Sequence, residues 1–160
     1  MVHLEAFAEG HLDKTHHWML DVDLRKNFLF RKKLSSAEHR RWFENYLQDR
    51  SQKIFAIYYN NLHVGNVGLK HIDQVNNNAE TWIYLGESSV KGKGVGVMAY
   101  RQLFDNYCTE FHKIYAHIAA FNSSSAKMYQ KAGFALEGNF KDQINWEGSY
   151  YDLLRFAFYL

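Results

Sequence analysis

The chain has 160 residues, the size of one ordinary domain, and its 47% apolar and 22% charged residues are a globular rather than a disordered composition. Nineteen Lys and Arg against seventeen Asp and Glu leave a net charge of +2, which implies no polyanionic partner such as nucleic acid. No run approaches ~18 apolar residues, so no membrane span is expected; Met1-Val2-His3-Leu4-Glu5 lacks a signal-peptide layout, and the lone Cys108 excludes an internal disulfide or a thiolate-rich metal site. The expectation is one cytoplasmic domain over residues 1–160, with no metal, membrane or nucleic-acid partner.

Taken in chain order, Val2 to Phe7 reads as a short strand, residues 11–20 as a helix, and residues 23–30 as another short helix. Ser35 to Arg50 is the clearest helix: Ser35 with Glu38 three residues on forms a capping box, and Trp42, Phe43, Tyr46 and Leu47 follow at helical spacing. Lys53 to Tyr59 is β-branched and aromatic, Asn60-Asn61 is a turn pair that tolerates positive φ, and Leu62 to Ile72 returns as the second arm of a hairpin. Asn76-Asn77-Asn78 turns the chain into a third strand, Ala79 to Leu85. A helix over about 95–110, a strand Lys113 to Ala119, a helix Ser123 to Lys131, a strand Phe134 to Lys141 and a last strand over 149–158 complete a mixed α/β sheet of about seven strands.

Gly92, Gly94 and Gly96 alternate between the third strand and the next helix. A glycine turn that opens a helix aims several backbone N–H groups at one point with the helix dipole behind them, and such a point attracts phosphate. The spacing is neither that of a P-loop nor that of a dinucleotide fold, and three antiparallel strands precede it. A second constellation runs from Asn122 to Phe134. Asn122 or a following Ser can cap a helix that Gly133 stops, and Asn122 and Tyr129, seven residues apart, share one helix face.

Lys91-Gly92-Lys93-Gly94-Val95-Gly96 resembles the acetyl-CoA pyrophosphate loop of the GNAT N-acetyltransferases, with Lys91 where Arg or Gln is usual, and Asn122 through Phe134 resembles their second motif, in the family's order. The resemblance implies a mostly antiparallel sheet splayed at a central parallel pair. It implies acetyl-CoA as co-substrate, with the pantetheine arm near Ile83 to Leu85. The pyrophosphate would lie on Lys91, Gly92, Lys93, Gly94, Val95 and Gly96, and Asn122 and Lys127 would also face the cofactor.

Acetyl transfer to an amine needs a neutral amine, a stabilised oxyanion and a proton for the departing thiolate. By resemblance Tyr129 is the general acid and a backbone N–H near Leu85 serves the oxyanion. Glu80, at the start of the third strand, is the expected base, and His117 is the alternative. The other histidines show no spacing that suggests zinc.

Arg25, Lys26, Arg31, Lys32 and Lys33 form a basic stretch that would favour an anionic acceptor. Trp18, Asp23 to Lys26, Ser36 to Phe43 and Gly65 to Leu69 resemble bacterial sugar-nucleotide N-acetyltransferases, which implies a nucleotide-linked amino sugar held by Trp18, Arg25 and Lys26. Glu137-Gly138 and Gly148 to Asp152 are shared with ribosomal-protein N-terminal acetyltransferases. A protein N-terminus as acceptor, a non-catalytic acetyl-CoA-binding module and homodimer formation therefore stay open.

Overall fold

The computed structural model describes residues 1–160. Strands β1 (Val2–Ala6), β2 (Lys53–Tyr59), β3 (Leu62–Asp73), β4 (Asn78–Leu85), β5 (Lys113–Ala119), β6 (Ala135–Trp146) and β7 (Ser149–Tyr159) form one sheet in the order β1-β2-β3-β4-β5-β7-β6. Helices α1 (Leu12–Trp18), α2 (Val22–Asn27), α3 (Ser36–Gln48), α4 (Val95–Tyr107) and α5 (Ser123–Lys131) flank it. None is long and apolar enough to cross a membrane.

Local chemistry accounts for most boundaries. Ser35 Oγ accepts from the Glu38 N–H at 3.2 Å while Glu38 returns a bond to the Ser35 N–H at 2.8 Å, so α3 starts on the expected capping box. Asn60 and Asn61 both take positive φ, 50° and 64°, as a tight hairpin turn requires. Asn122 accepts from the Ser125 N–H to cap α5, and Gly133, at φ 95°, ends it.

Several boundaries differ from the sequence reading by one to five residues, and three have a clear local cause or form. A 3-10 turn at Glu9–His11 precedes α1. Helix α2 stops at Asn27, three residues early, because Leu29 enters the left-handed region at φ 59°. Phe30 N–H then reaches Arg25 O at 2.8 Å and Leu29 N–H reaches Lys26 O at 3.0 Å, a Schellman stop with leucine where glycine is usual. Strand β6 does not end at Lys141: Asp142, at φ 53°, forms a bulge against β7, its N–H bonds Asp152, and pairing continues to Trp146 before Glu147-Gly148 turns the chain.

The core lies on both faces of the sheet. Helix α4 buries Val95, Ala99, Tyr100, Leu103 and Phe104 on one face, while Phe7, Leu12, Phe43 and Ile54 pack under α1 and α3 on the other. A buried polar cluster ties α1 to the sheet. Asn66 donates to Thr15 Oγ1 (2.9 Å) and to the Tyr84 hydroxyl (2.7 Å), and its carbonyl accepts from His63 Nε2 (2.9 Å).

The feature that creates a site is the one parallel contact. β4 and β5 pair only where Asn78, Ala79 and Glu80 oppose Lys113, Ile114 and Tyr115. Beyond Glu80 the two strands part, and the gap opens into a cleft of about 800 Å³.

Candidate active site

The cleft runs between the diverging strands from the turn at 91–97 to the Glu80 side of the sheet, and Ile83, Leu85, Asn122, Lys127 and Tyr129 all line it. Asn122 and Tyr129 do share a face of α5, as their spacing requires. Gly86 N–H donates to Val64 O on β3 at 2.9 Å, so by the alternation of a strand the Leu85 N–H points to the opposite, open edge.

At one end Gly92 and Gly94 sit at φ 77° and 76°, and Gly94 caps α4. The N–H groups of Gly92, Gly94, Val95, Gly96 and Val97 donate to no protein acceptor, whereas Lys93 N–H bonds Val90 O at 3.3 Å. Five free donors on a left-handed turn at a helix N-terminus match the oxygens of a diphosphate. Lys91 borders the cleft at this end, but the Lys93 side chain does not line it. These residues fit coenzyme A.

Midway, Tyr129 is 3% exposed. Burial raises its pKa, the nearby Glu80 charge adds to this, and the Tyr100 hydrogen bond works against it, so the phenol stays protonated at neutral pH. Tyr100 donates to the Tyr129 hydroxyl at 3.1 Å and Thr81 Oγ1 stands 3.4 Å behind Tyr100. The Tyr129 oxygen accepts from Tyr100, so its own hydrogen is not used in that bond, and Tyr129 lines the cleft. Nothing in the sequence singles out Tyr100. Its spacing from Leu103 and Tyr107 marks only the apolar face of α4, and its polar role depends on where α5 lies.

At the far end Glu80 is held by three cationic or proton-donating groups. His71 Nδ1 donates to Oε2 at 3.0 Å, His117 Nδ1 donates to Oε1 at 3.2 Å, and Lys70 Nζ lies 3.3 Å from Oε1. Burial alone would raise the Glu80 pKa, but the His117 bond, the Lys70 charge and the His71 bond outweigh it and bring it down to about 2. The carboxylate is a fixed anion and a weak proton acceptor. Because its folded pKa is below that of an unfolded chain, its ionisation stabilises the fold above about pH 4.5 and that contribution is lost as pH falls toward 2. Urea unfolding across this range is expected to show Glu80→Gln with a flatter pH dependence than wild type, the difference being on the order of 3 kcal/mol.

The residues expected to hold the acceptor are placed elsewhere. Arg25 donates to Met19 O (3.0 Å) and Leu20 O (3.1 Å), closing the end of α1, and Lys26 lies over the Phe121 ring at 5.2 Å. Neither lines the cleft. Trp18 is buried against Gly86, where a Cβ would come within 2.0 Å of its ring; it does not line this cleft but a smaller neighbouring hollow with Asp21, Leu24, Gly86 and Lys91. The acceptor half is walled instead by Phe28, Leu29 and Trp82, with Phe28 edge-on to Trp82.

A parted parallel strand pair with an amide nest at one end and a buried phenol along the gap defines the class: a domain built to hold an acyl-coenzyme A. The chain belongs to the GNAT acetyltransferase family, whose "Acetyltransferase (GNAT) domain" matches residues 2–135. It is 27% identical over 117 residues to a spermidine N(1)-acetyltransferase of Vibrio cholerae, covering 71% of this chain and 66% of that protein. It is 33% identical over 75 residues to a phosphinothricin N-acetyltransferase of Streptomyces coelicolor, covering 46% of this chain and 43% of that protein. The match thus spans between 43% and 66% of these relatives' own length. The spermidine N-acetyltransferase from Vibrio cholerae in complex with CoA and spermine superimposes with a TM-score of 0.88 at 23% identity, over 99% of this chain and 95% of that one. A ribosomal L7/L12 alpha-N-protein acetyltransferase in complex with coenzyme A gives 0.88 at 21%, over 99% and 94%. These similarities confirm the fold. The relatives named here carry polyamine, phosphinothricin and ribosomal-protein names, and none of them is a sugar-nucleotide enzyme.

Proposed function

We propose that this protein transfers an acetyl group from acetyl-CoA to a primary amine of a small molecule, by direct attack in a ternary complex. The observation that carries the reading is the single gap that joins the free amides at 92–97, the Tyr129 hydroxyl and the Glu80–His117 pair. Acetyl-CoA supplies an activated thioester carbon. Gly92, Gly94, Val95, Gly96 and Val97 hold its diphosphate through their amides, the open edge of β4 at Ile83 and Leu85 lines its arm, and Leu85 N–H faces the developing oxyanion. Tyr129 protonates the sulfur as it leaves. Glu80 presents a negative charge on the acceptor side.

The acceptor is a cationic amine of polyamine type. Asp21, Asp23 and Glu80 line the cleft beside the aromatic wall of Phe28 and Trp82, while Lys91, Lys127 and Lys131 line it from the amide turn and α5, and the relatives in Vibrio cholerae and Escherichia coli carry spermidine names. A nucleotide-linked amino sugar is the second reading. It loses Arg25 and Lys26, but Lys70 lines the cleft and the basic segment 31–33 adjoins Phe28 and Leu29. Thiol release from acetyl-CoA, measured with spermidine, a UDP-linked 4-amino sugar and an N-terminal Ser peptide, decides between them. Spermidine is expected to be turned over with the highest kcat/KM. Preference for the sugar nucleotide would move the assignment to the second reading, and coenzyme A binding with no thiol release from any amine would leave only a binding module.

A further inference from the structure

The carboxylate expected to be the base is pinned as an anion by three neighbours, which leaves the proton of the incoming ammonium without a receiver. We infer that His117 Nε2 is the general base that takes this proton, with Glu80 as the residue that positions it. The inference rests on the acetyltransferase reading of this cleft.

Geometry fixes the tautomer. Glu80 Oε1 can only accept, so the His117 nitrogen 3.2 Å away, Nδ1, carries the hydrogen, and the neutral ring presents its lone pair at Nε2. His117 lines the cleft from β5, directly across the parted strands from β4, and its side chain is about one quarter exposed, open to an acceptor entering past Phe28 and Trp82. The Tyr115 and Phe140 rings flank it at 5.6 and 6.1 Å and limit its rotation. The charged and titratable groups around it come from every neighbouring strand. They are Tyr115 and Lys113 on β5, Glu80 on β4, Lys70 and His71 on β3 (both engaged by Glu80), Arg155 opposite on β7, and Glu137 on β6, which pairs with Lys113 beside Arg155. Arg155 lies over the Tyr115 ring at 4.0 Å. Glu80 is the one anion bonded to the imidazole, so a proton arriving at Nε2 is stabilised through the ring by a charge already in place.

The protons balance. The substrate ammonium gives one proton to His117 Nε2. Its freed lone pair forms the C–N bond as the C–S bond breaks, and Tyr129 gives its proton to sulfur. The second proton of the amine nitrogen restores Tyr129, and His117 releases its proton to water. One amide, one thiol and one proton leave.

Two measurements test this. The first needs no turnover: long-range nitrogen–proton NMR of the whole protein is expected to show His117 as the Nδ1–H tautomer, and Glu80→Gln to lose that preference. An Nε2–H tautomer in the wild type overturns the assignment whatever the enzyme acetylates. The second is kcat against pH with the acceptor found by thiol release. Wild type is expected to show an acid limb of unit slope. His117→Gln is expected to lower kcat by ~10²-fold or more and abolish that limb, with coenzyme A affinity within about twofold of wild type. An unchanged kcat, a retained limb, or a parallel loss of coenzyme A binding and thermal stability, which would mark a structural residue, each overturns it. Absence of thiol release by the wild type would count against the acetyltransferase reading instead, and the tautomer result would still stand or fall by itself.

Discussion

Replacing Tyr129 with Phe is expected to lower kcat by ~10²–10⁴-fold while leaving the acceptor KM and the Kd for coenzyme A within about threefold. The phenol touches nothing that binding alone requires. Its ring packs on Tyr100, Phe134 and Phe156, contacts that Phe keeps, and only the hydroxyl is lost. The hydroxyl stays protonated at neutral pH because burial disfavours the phenolate, so the proton is in place when the sulfur leaves, although the same burial makes the phenol a weaker acid. A thiolate is a fair leaving group, which places the expected loss nearer the lower end of the range. The same substitution leaves the Tyr100 hydroxyl without its acceptor in a dry site, which is expected to cost about 1–3 kcal/mol of stability. Tyr100→Phe separates orientation from chemistry: the acid remains but its proton is no longer directed, so kcat is expected to fall by less than in Tyr129→Phe. Steady-state thiol release by the two variants checks both statements, and wild-type turnover by Tyr129→Phe removes the phenol from the mechanism.

The parts of this site that the sequence shows are those coded by short-range chemistry. A glycine turn that opens a helix is written within six residues, and an Asn that caps a helix with a Tyr two turns later within eight, so the loop at 91–96 and the Asn122–Tyr129 face are legible in the sequence alone. The acceptor side is assembled differently. Glu80 meets His71, Lys70 and His117 across three strands, and no spacing along the chain announces that one carboxylate will be shared among them. The same blindness misplaced Arg25 and Lys26. Their charge reads as a binding surface, but the chain that leaves α1 has carbonyls at Met19 and Leu20, just past the helix, and Arg25 is within reach to satisfy them. Leu29 shows a further limit. Nothing about a leucine forecasts φ 59°; the conformation is imposed by the need to turn α2 back toward the cleft that Phe28 and Leu29 line.

For Gly94→Val the expected outcome is a rise in the Kd for coenzyme A of ~10–100-fold, read by calorimetry, with the fold retained. A Cβ at Gly94 would meet nothing within 4 Å, so blocking by its first atom is not the reason. The reason is the backbone. At φ 76° a β-branched residue is strained by ~1–3 kcal/mol, and the turn relieves this by rotating the peptides on either side. Those peptides carry the N–H groups of Gly94 and Val95, two of the five free donors, and a rotation that satisfies valine swings them off a common point. Since tenfold in Kd corresponds to about 1.4 kcal/mol, the strain alone spans the expected range. The argument also orders the substitutions. Asn tolerates the left-handed region better than Ala, and Ala better than Val, so affinity should fall in that sequence although side-chain bulk does not. Gly96 behaves differently: its Cβ would stand 3.2 Å from Met128 Cγ, so Gly96→Leu acts through crowding between α4 and α5 and should follow size instead. Equal affinity across the Gly94 series would place the diphosphate somewhere other than this turn, and affinity that tracked volume at Gly94 would replace the backbone argument with a steric one.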